Sequence, residues 1–180
     1  MRRTLLLLAT MALGVLLIGG VALAANITCS TTPCQGTPNA DNISGTDVGA
    51  EQIYALAGAD DVVSGDGSDE VYGQRGNDIV DGYWGRDTIY GGSGGDGSAE
   101  GTTFKTPTKD TTNLEGGEDS DKVYGGEGDD WIDAAAHDLS TDNPGSVDRS
   151  YGEEGNDHIY TIDGNEDIID CGPGTGDIVR

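Results

Sequence analysis

The sequence predicts an all-β chain: a parallel β-roll, a β-solenoid in which two repeats complete one coil, interrupted by two loop insertions. Three observations predict it. Asp60, Asp69, Asp78, Asp87 and Asp96 recur every nine residues. A glycine stands two positions before each of them, at Gly58, Gly67, Gly76, Gly85 and Gly94. An aliphatic residue stands two positions after the first four, at Val62, Val71, Val80 and Ile89. Three sublattices kept in phase over five periods mark a structural repeat of the form G-x-x-G-x-D-x-U-x, with U a large aliphatic. The glycines tolerate φ > 0 and close backbone approach, so six residues can form a tight turn. The remaining x-U-x triplet is a very short strand with one side chain inward and two outward, and successive coils stack as parallel strands about 4.8 Å apart.

The elements follow in chain order. Arg2 and Arg3 precede an uncharged, leucine-rich run that ends in Ala22-Leu23-Ala24. That is the pattern of a signal peptide cleaved after residue 24. The alternative is an uncleaved anchor, since about 20 apolar residues can span a bilayer. Residues 25–35 hold Cys29 and Cys34. Three cysteines in an exported chain imply one disulfide and one leftover thiol. Cys29–Cys34 is the favoured pair, and Cys34–Cys171 and Cys29–Cys171 stay open. The first run of repeats covers 36–99 and opens with Asp41 before Ile43, then Glu51 before Ile53 in a unit one residue longer. Ser98 replaces the aliphatic residue of the last unit, so the core is expected to end there. Residues 100–115 are a Thr-rich polar insertion, read as a surface loop. The period resumes over 116–133 with Asp121 and Asp130, and a second insertion spans 134–150. It returns over 151–180 with Asp157 and Glu166 in the acid slots, and the tail forms a C-terminal cap.

Charge and spacing together point to a metal. The chain carries 33 acidic residues against 9 basic ones, a formal net charge of −24. Removing residues 1–24 takes away two arginines and no acid, which makes the balance −26. Nucleic acid is an improbable partner for a chain with no basic patch. Two repeats per coil place the carboxylates of repeats n and n+2 on one edge, one coil apart. Unneutralised, such a stack of like charges is strongly unfavourable. A hard cation resolves this, because Ca²⁺ accepts 6–8 oxygens from carboxylates and backbone carbonyls at roughly 2.3–2.6 Å. The aspartates supply charge and the open glycine turns supply carbonyls.

The nonapeptide resembles that of the repeats-in-toxin (RTX), or haemolysin-type calcium-binding, family, over roughly residues 36–179 with two gaps. The resemblance implies several Ca²⁺ ions, each held between turns n and n+2. Carried over position by position, the stacked pairs are Asp41/Asp60, Glu51/Asp69, Asp60/Asp78, Asp69/Asp87 and Asp78/Asp96. Asp121, Asp130 and Asp157 match the slot, with partners left unassigned by the insertions. Backbone carbonyls near Gly65, Gly67, Gly73, Gly76, Gly82, Gly85, Gly91, Gly94, Gly125 and Gly128 complete the expected donor set. The expected protein is secreted and extracellular, free of the membrane once the signal is removed. It folds when it meets calcium, because metal binding is itself folding free energy.

Two further features bear on function. Tyr54, Tyr72 and Tyr90 lie 18 residues apart at the last position of alternate units, which predicts a ladder outside one sheet. The equivalent positions on the other sheet are Ser44, Val63 and Asp81. Stacked aromatics that stabilise neighbouring strands are the favoured account. The alternative is a docking strip for an extracellular glycan or protein, as in a cell-surface adhesin or matrix protein. Catalysis has little support: His137 and His158 are the only histidines, and no H-E-x-x-H occurs. A hydrolase site built on the 134–150 insertion from His137, Asp138, Asp142 and Asp148 is the remotest reading. The chain is expected to be a non-catalytic structural or binding module.

Overall fold

The computed structural model describes residues 24–96, 114–134, 145–161 and 164–180. The signal segment, Ser98, His137, Asp138, Asp142 and most of both insertions lie outside the described residues. Every regular element among the described residues is a β-strand, and every pairing of these strands is parallel. Sheet one runs β1 (Asn26–Thr28), β3 (Asn42–Ser44), β5 (Asp61–Val63), β8 (Ile79–Asp81), β11 (Leu114–Glu115), β13 (Trp131–Asp133), β15 (His158–Tyr160) and β17 (Ile178–Val179). Sheet two runs β2 (Cys34–Gln35), β4 (Gln52–Tyr54), β7 (Glu70–Arg75), β10 (Thr88–Ser93), β12 (Lys122–Glu127), β14 (Arg149–Glu154) and β16 (Ile168–Asp170). A small third pair, β6 (Asp66–Gly67) with β9 (Trp84–Gly85), lies along one row of turns. The chain passes from one sheet to the other with each repeat, so two repeats make one coil. This is the parallel β-roll that the period predicts.

The triplet strands turn their middle residue inward, as alternation along a strand requires, and bury it everywhere but in the end strands β1 and β16, where Ile27 and Ile169 are half-buried. Ile43, Val62 and Val80 are in register in sheet one, and Leu114, Ile132 and Ile159 continue the row. Ile53, Val71, Ile89 and Val123 form the facing row in sheet two. All ten are at most 1 % exposed, so the core is a double file of aliphatics. Between the files the turns close so tightly that side chains are excluded. Gly76 has φ 138°, and a Cβ there would overlap the carbonyl oxygen of Gly58 one coil away. Both its conformation and its neighbour therefore demand glycine.

Cys29 and Cys34 are joined by a disulfide and both are buried with the N-terminal end of the core. Cys171 is the free thiol, half-buried against the other end. Among the described residues no helix is long and apolar enough to cross a membrane.

Three local expectations are corrected. The core does not end at Ser98, because Leu114 enters the inward row between Val80 and Ile132. Part of the second stretch read as insertion belongs to the roll: β14 begins at Arg149 and puts Ser150 in the inward row of sheet two. In the last unit Ile169, not Ile168, pairs with Ser150. The acid slot two residues earlier is therefore Asp167, and Glu166 is exposed.

Candidate metal centre

The acid slot sits where a turn enters a strand, two residues before the inward side chain. Stacking the coils brings these corners into two rows. In the first row, backbone N–H groups donate to the Oδ1 of the next coil's aspartate. Asp41 donates to Asp60 at 2.8 Å, Asp60 to Asp78 at 2.9 Å and Asp78 to Asp96 at 2.9 Å. The row continues from Asp96 to Asp130 at 2.7 Å, Asp130 to Asp157 at 3.0 Å and Asp157 to Asp177 at 3.1 Å. The second row links Glu51, Asp69, Asp87, Asp121, Asp148 and Asp167 in the same way, at 2.7 to 3.1 Å. All five predicted pairs are thus adjacent. Asp121, Asp130 and Asp157, which had no assigned partners, find them across the insertions. Asp148, Asp167 and Asp177 were missed. Only their position two residues before an inward side chain could have revealed them, and at Asp148 that side chain is a serine.

One hydrogen bond per carboxylate leaves the other oxygen to be explained. The Oδ2 atoms of Asp60, Asp69, Asp78, Asp87, Asp96, Asp121, Asp130 and Asp157, and the Oε2 of Glu51, are buried without a hydrogen-bond partner. A buried charge left in this state costs several kcal/mol. Burial, reinforced by the neighbouring carboxylates, pushes Asp78 up to about 6 and Asp87, Asp96 and Asp130 up to about 7. The same causes push Asp121 up to about 9. Asp41 is the exception: burial raises it, but hydrogen bonds from Thr37 and Ala25 bring it below the usual range.

The unpaired oxygens point at a shared space. A Cβ built on Gly73 would lie 2.5 Å from the carbonyl oxygen of Gly91 and 2.6 Å from Asp78 Oδ2. The same convergence recurs at Gly82 (Gly116 O, Asp87 Oδ2), Gly91 (Gly125 O, Asp96 Oδ2) and Gly116 (Ala134 O, Asp121 Oδ2). It recurs again at Gly125 (Gly152 O, Asp130 Oδ2) and Gly152 (Cys171 O, Asp157 Oδ2). Two oxygens aimed at one space repel when the carboxylate is ionised, unless a cation lies beside them. Among the described residues no three His, Cys, Asp or Glu side chains gather into a metal site. Most donors must therefore be backbone carbonyls. An all-oxygen set of this kind suits a hard cation such as Ca²⁺ and not zinc, which favours nitrogen and sulfur.

Of the expected carbonyls, those of Gly91 and Gly125 meet a carboxylate in this way. Gly82 instead accepts the Ser64 hydroxyl at 2.8 Å. The carbonyls of Gly67, Gly76, Gly94 and Gly128 face the Cα of Gly85, Gly94, Gly128 and Gly155 in the next coil.

On the outer face of sheet two, Tyr54, Tyr72 and Tyr90 stack, and Tyr124 and Tyr151 extend the column. Ring centroids are 4.6 to 4.9 Å apart and the planes differ by only 7° to 11°. Tyr72 donates its hydroxyl to Glu70 at 2.6 Å, which pushes the phenol up to about 12. On sheet one His158 stacks on Trp131 with centroids 4.2 Å apart.

Comparison with known families gives one match. A model described as the RTX calcium-binding nonapeptide repeat, in four copies, matches residues 35–71, 45–80, 63–97, 110–136 and 145–169. No curated protein and no solved structure matches the chain.

Proposed function

The chain belongs to the RTX calcium-binding nonapeptide repeat family, and from that premise we propose that it is a secreted, non-catalytic module completed by several calcium ions. The observation that carries this reading is the convergence of an unpaired carboxylate oxygen with a carbonyl oxygen of the next coil. Asp78, Asp87, Asp96, Asp121, Asp130 and Asp157 would hold the ions, with carbonyls such as those of Gly91, Gly125 and Gly152. Bound calcium would supply the positive charge that lets these carboxylates stay ionised while buried. The Oδ1 hydrogen bonds fix each carboxylate so that its Oδ2 faces the space. The glycines keep that space clear, and the aliphatic double file sets the coil spacing.

Folding on export follows from the same chemistry. Metal affinity and folding free energy are one quantity when the site exists only in the folded chain. A chain of net charge −24 stays expanded where calcium is scarce and closes where it is plentiful. Equilibrium dialysis tests the reading. The chain is expected to retain several calcium ions against a magnesium background, and retention of none would end the proposal.

The tyrosine column fits the stabilising account better than the docking one. Each interior ring has a neighbour against both faces, so the column offers edges and hydroxyls, not flat platforms for a sugar. An adhesin role would have to use those edges. Replacing Tyr54, Tyr72 and Tyr90 by Ser with glycan or envelope binding unchanged would exclude it.

A further inference from the structure

The rungs on either side of residue 73 differ in what stands beside the carboxylate. From there on, the residue five before the carboxylate is glycine at Gly73, Gly82, Gly91, Gly116, Gly125 and Gly152, and each leaves the converging oxygens their space. Gly36 holds the same place five before Asp41, with the Ala55 carbonyl oxygen opposite, but in each of the first four rungs a side chain engages the carboxylate or the space beside it. Thr37 delivers its N–H at 2.6 Å and its hydroxyl at 3.0 Å to Asp41, and the Ala25 N–H adds a third bond at 3.0 Å. Thr46, five before Glu51, donates its hydroxyl to Glu51 Oε1. Ala55, five before Asp60, puts a fully buried methyl where Gly73 has none. Ser64, five before Asp69, sends its hydroxyl to the Gly82 carbonyl at 2.8 Å. That carbonyl is the counterpart of the Gly91 oxygen that faces Asp78. Asp60 and Asp69 each keep one oxygen without a hydrogen bond, but buried Ala55 and Ser64 side chains stand where Gly73 and Gly82 have none.

We infer that the calcium array begins at Asp78, and that Asp41, Glu51, Asp60 and Asp69 belong to an N-terminal cap held by protein groups. The inference rests on the calcium reading and narrows it to part of the chain. It draws on a second feature at the same end: the Cys29–Cys34 disulfide is buried against the first coils and needs no metal. The cap therefore persists when calcium is removed and presents a formed sheet edge, with its register set, to which the later coils add as ions arrive. Parallel pairing with a formed neighbour avoids the entropic cost of nucleating the first coil from an open chain.

Bound calcium per chain, measured by equilibrium dialysis, tests the boundary. Asp60→Asn is expected to retain the wild-type number of ions, whereas Asp96→Asn loses at least one. Ser64→Gly with Ala55→Gly opens two further spaces and is expected to add ions. Equal losses from Asp60→Asn and Asp96→Asn would overturn the inference. Hydrogen exchange of the wild-type chain in chelator gives a second readout, independent of how any variant folds. Residues 26–54 are expected to keep at least tenfold slower exchange than residues 78–96. Loss of protection throughout, with normal calcium binding on readdition, would leave the calcium reading standing and overturn the cap. Retention of no calcium by the wild-type chain would instead remove the calcium reading itself.

Discussion

At the scale of single residues, the glycine five before the carboxylate at Asp78, Asp87, Asp96, Asp121, Asp130 and Asp157 keeps the space that the converging oxygens share. Gly91→Ala would set a methyl 2.5 Å from Asp96 Oδ2 and closer still to the Gly125 carbonyl. Overpacking of this kind costs about 1–3 kcal/mol. The expected result is a calcium titration midpoint raised by roughly tenfold or more, read by any signal of folding. The inward aliphatics behave as ordinary core. Ile89→Ala removes a fully buried side chain and is expected to cost about 2–5 kcal/mol, measured by urea unfolding in saturating calcium.

The aspartates also set a pH dependence for the calcium-free chain. Burial raises Asp78 to about 6, Asp87, Asp96 and Asp130 to about 7, and Asp121 to about 9. Their unfolded value is about 3.9. A carboxylate whose folded pKa is raised binds its proton more tightly when folded. Its contribution is complete below the unfolded value and is lost as pH rises through the folded one. Without calcium the chain is expected to be more ordered at mildly acidic pH than at pH 8, with order lost as pH climbs through 6 to 9. Circular dichroism in chelator checks this, and greater order at pH 8 would contradict it.

At the scale of elements, a three-residue strand is too short to be stable alone. The coil is held by its neighbours, and the tyrosine column is one of the means. Tyr90 stacks on both Tyr72 and Tyr124. Each aromatic pair contributes about 0.5–1.5 kcal/mol beyond its buried area. Tyr90→Ser is therefore expected to cost about 1–3 kcal/mol. It should also weaken the near-ultraviolet circular dichroism of the remaining tyrosines, a signal that should appear only when the roll is closed.

The elements also show what could be read from the sequence and what could not. The period from Asp60 to Asp96 carried strand, turn and acid slot together, because all three sublattices were intact. Tyr124 and Tyr151 escaped notice because the insertions stretch the 18-residue coil to 34 and then 27 residues. Leu114 was hidden by separation from its own acid slot, Asp96, along the chain. Asp148 was hidden because Ser150 occupies the aliphatic position. Register is set by pairing between coils, and a one-dimensional period reports that pairing only while coil length stays constant. The distinction between Gly73 and Ser64 was visible as a letter. Its meaning required knowing which carbonyl lay opposite.

At the scale of the whole molecule, two long files of buried carboxylates run along a chain of net charge −24. At Asp78, Asp87, Asp96, Asp121, Asp130 and Asp157, hydrogen bonds between coils satisfy one carboxylate oxygen and aim the other at a carbonyl. On the proposed reading, the acid rows from Asp78 onward stay ionised at neutral pH when positive charge enters between the coils. Calcium, so read, is part of the fold and not an addition to it.

Far-ultraviolet circular dichroism of the calcium-stripped chain at neutral pH, titrated with Ca²⁺ and in parallel with Mg²⁺, tests this most directly. The account predicts a cooperative rise of β signal with calcium, reversed by chelator and absent with magnesium, on top of a small signal from the N-terminal coils. A full β spectrum indifferent to both metals and to chelator would contradict it.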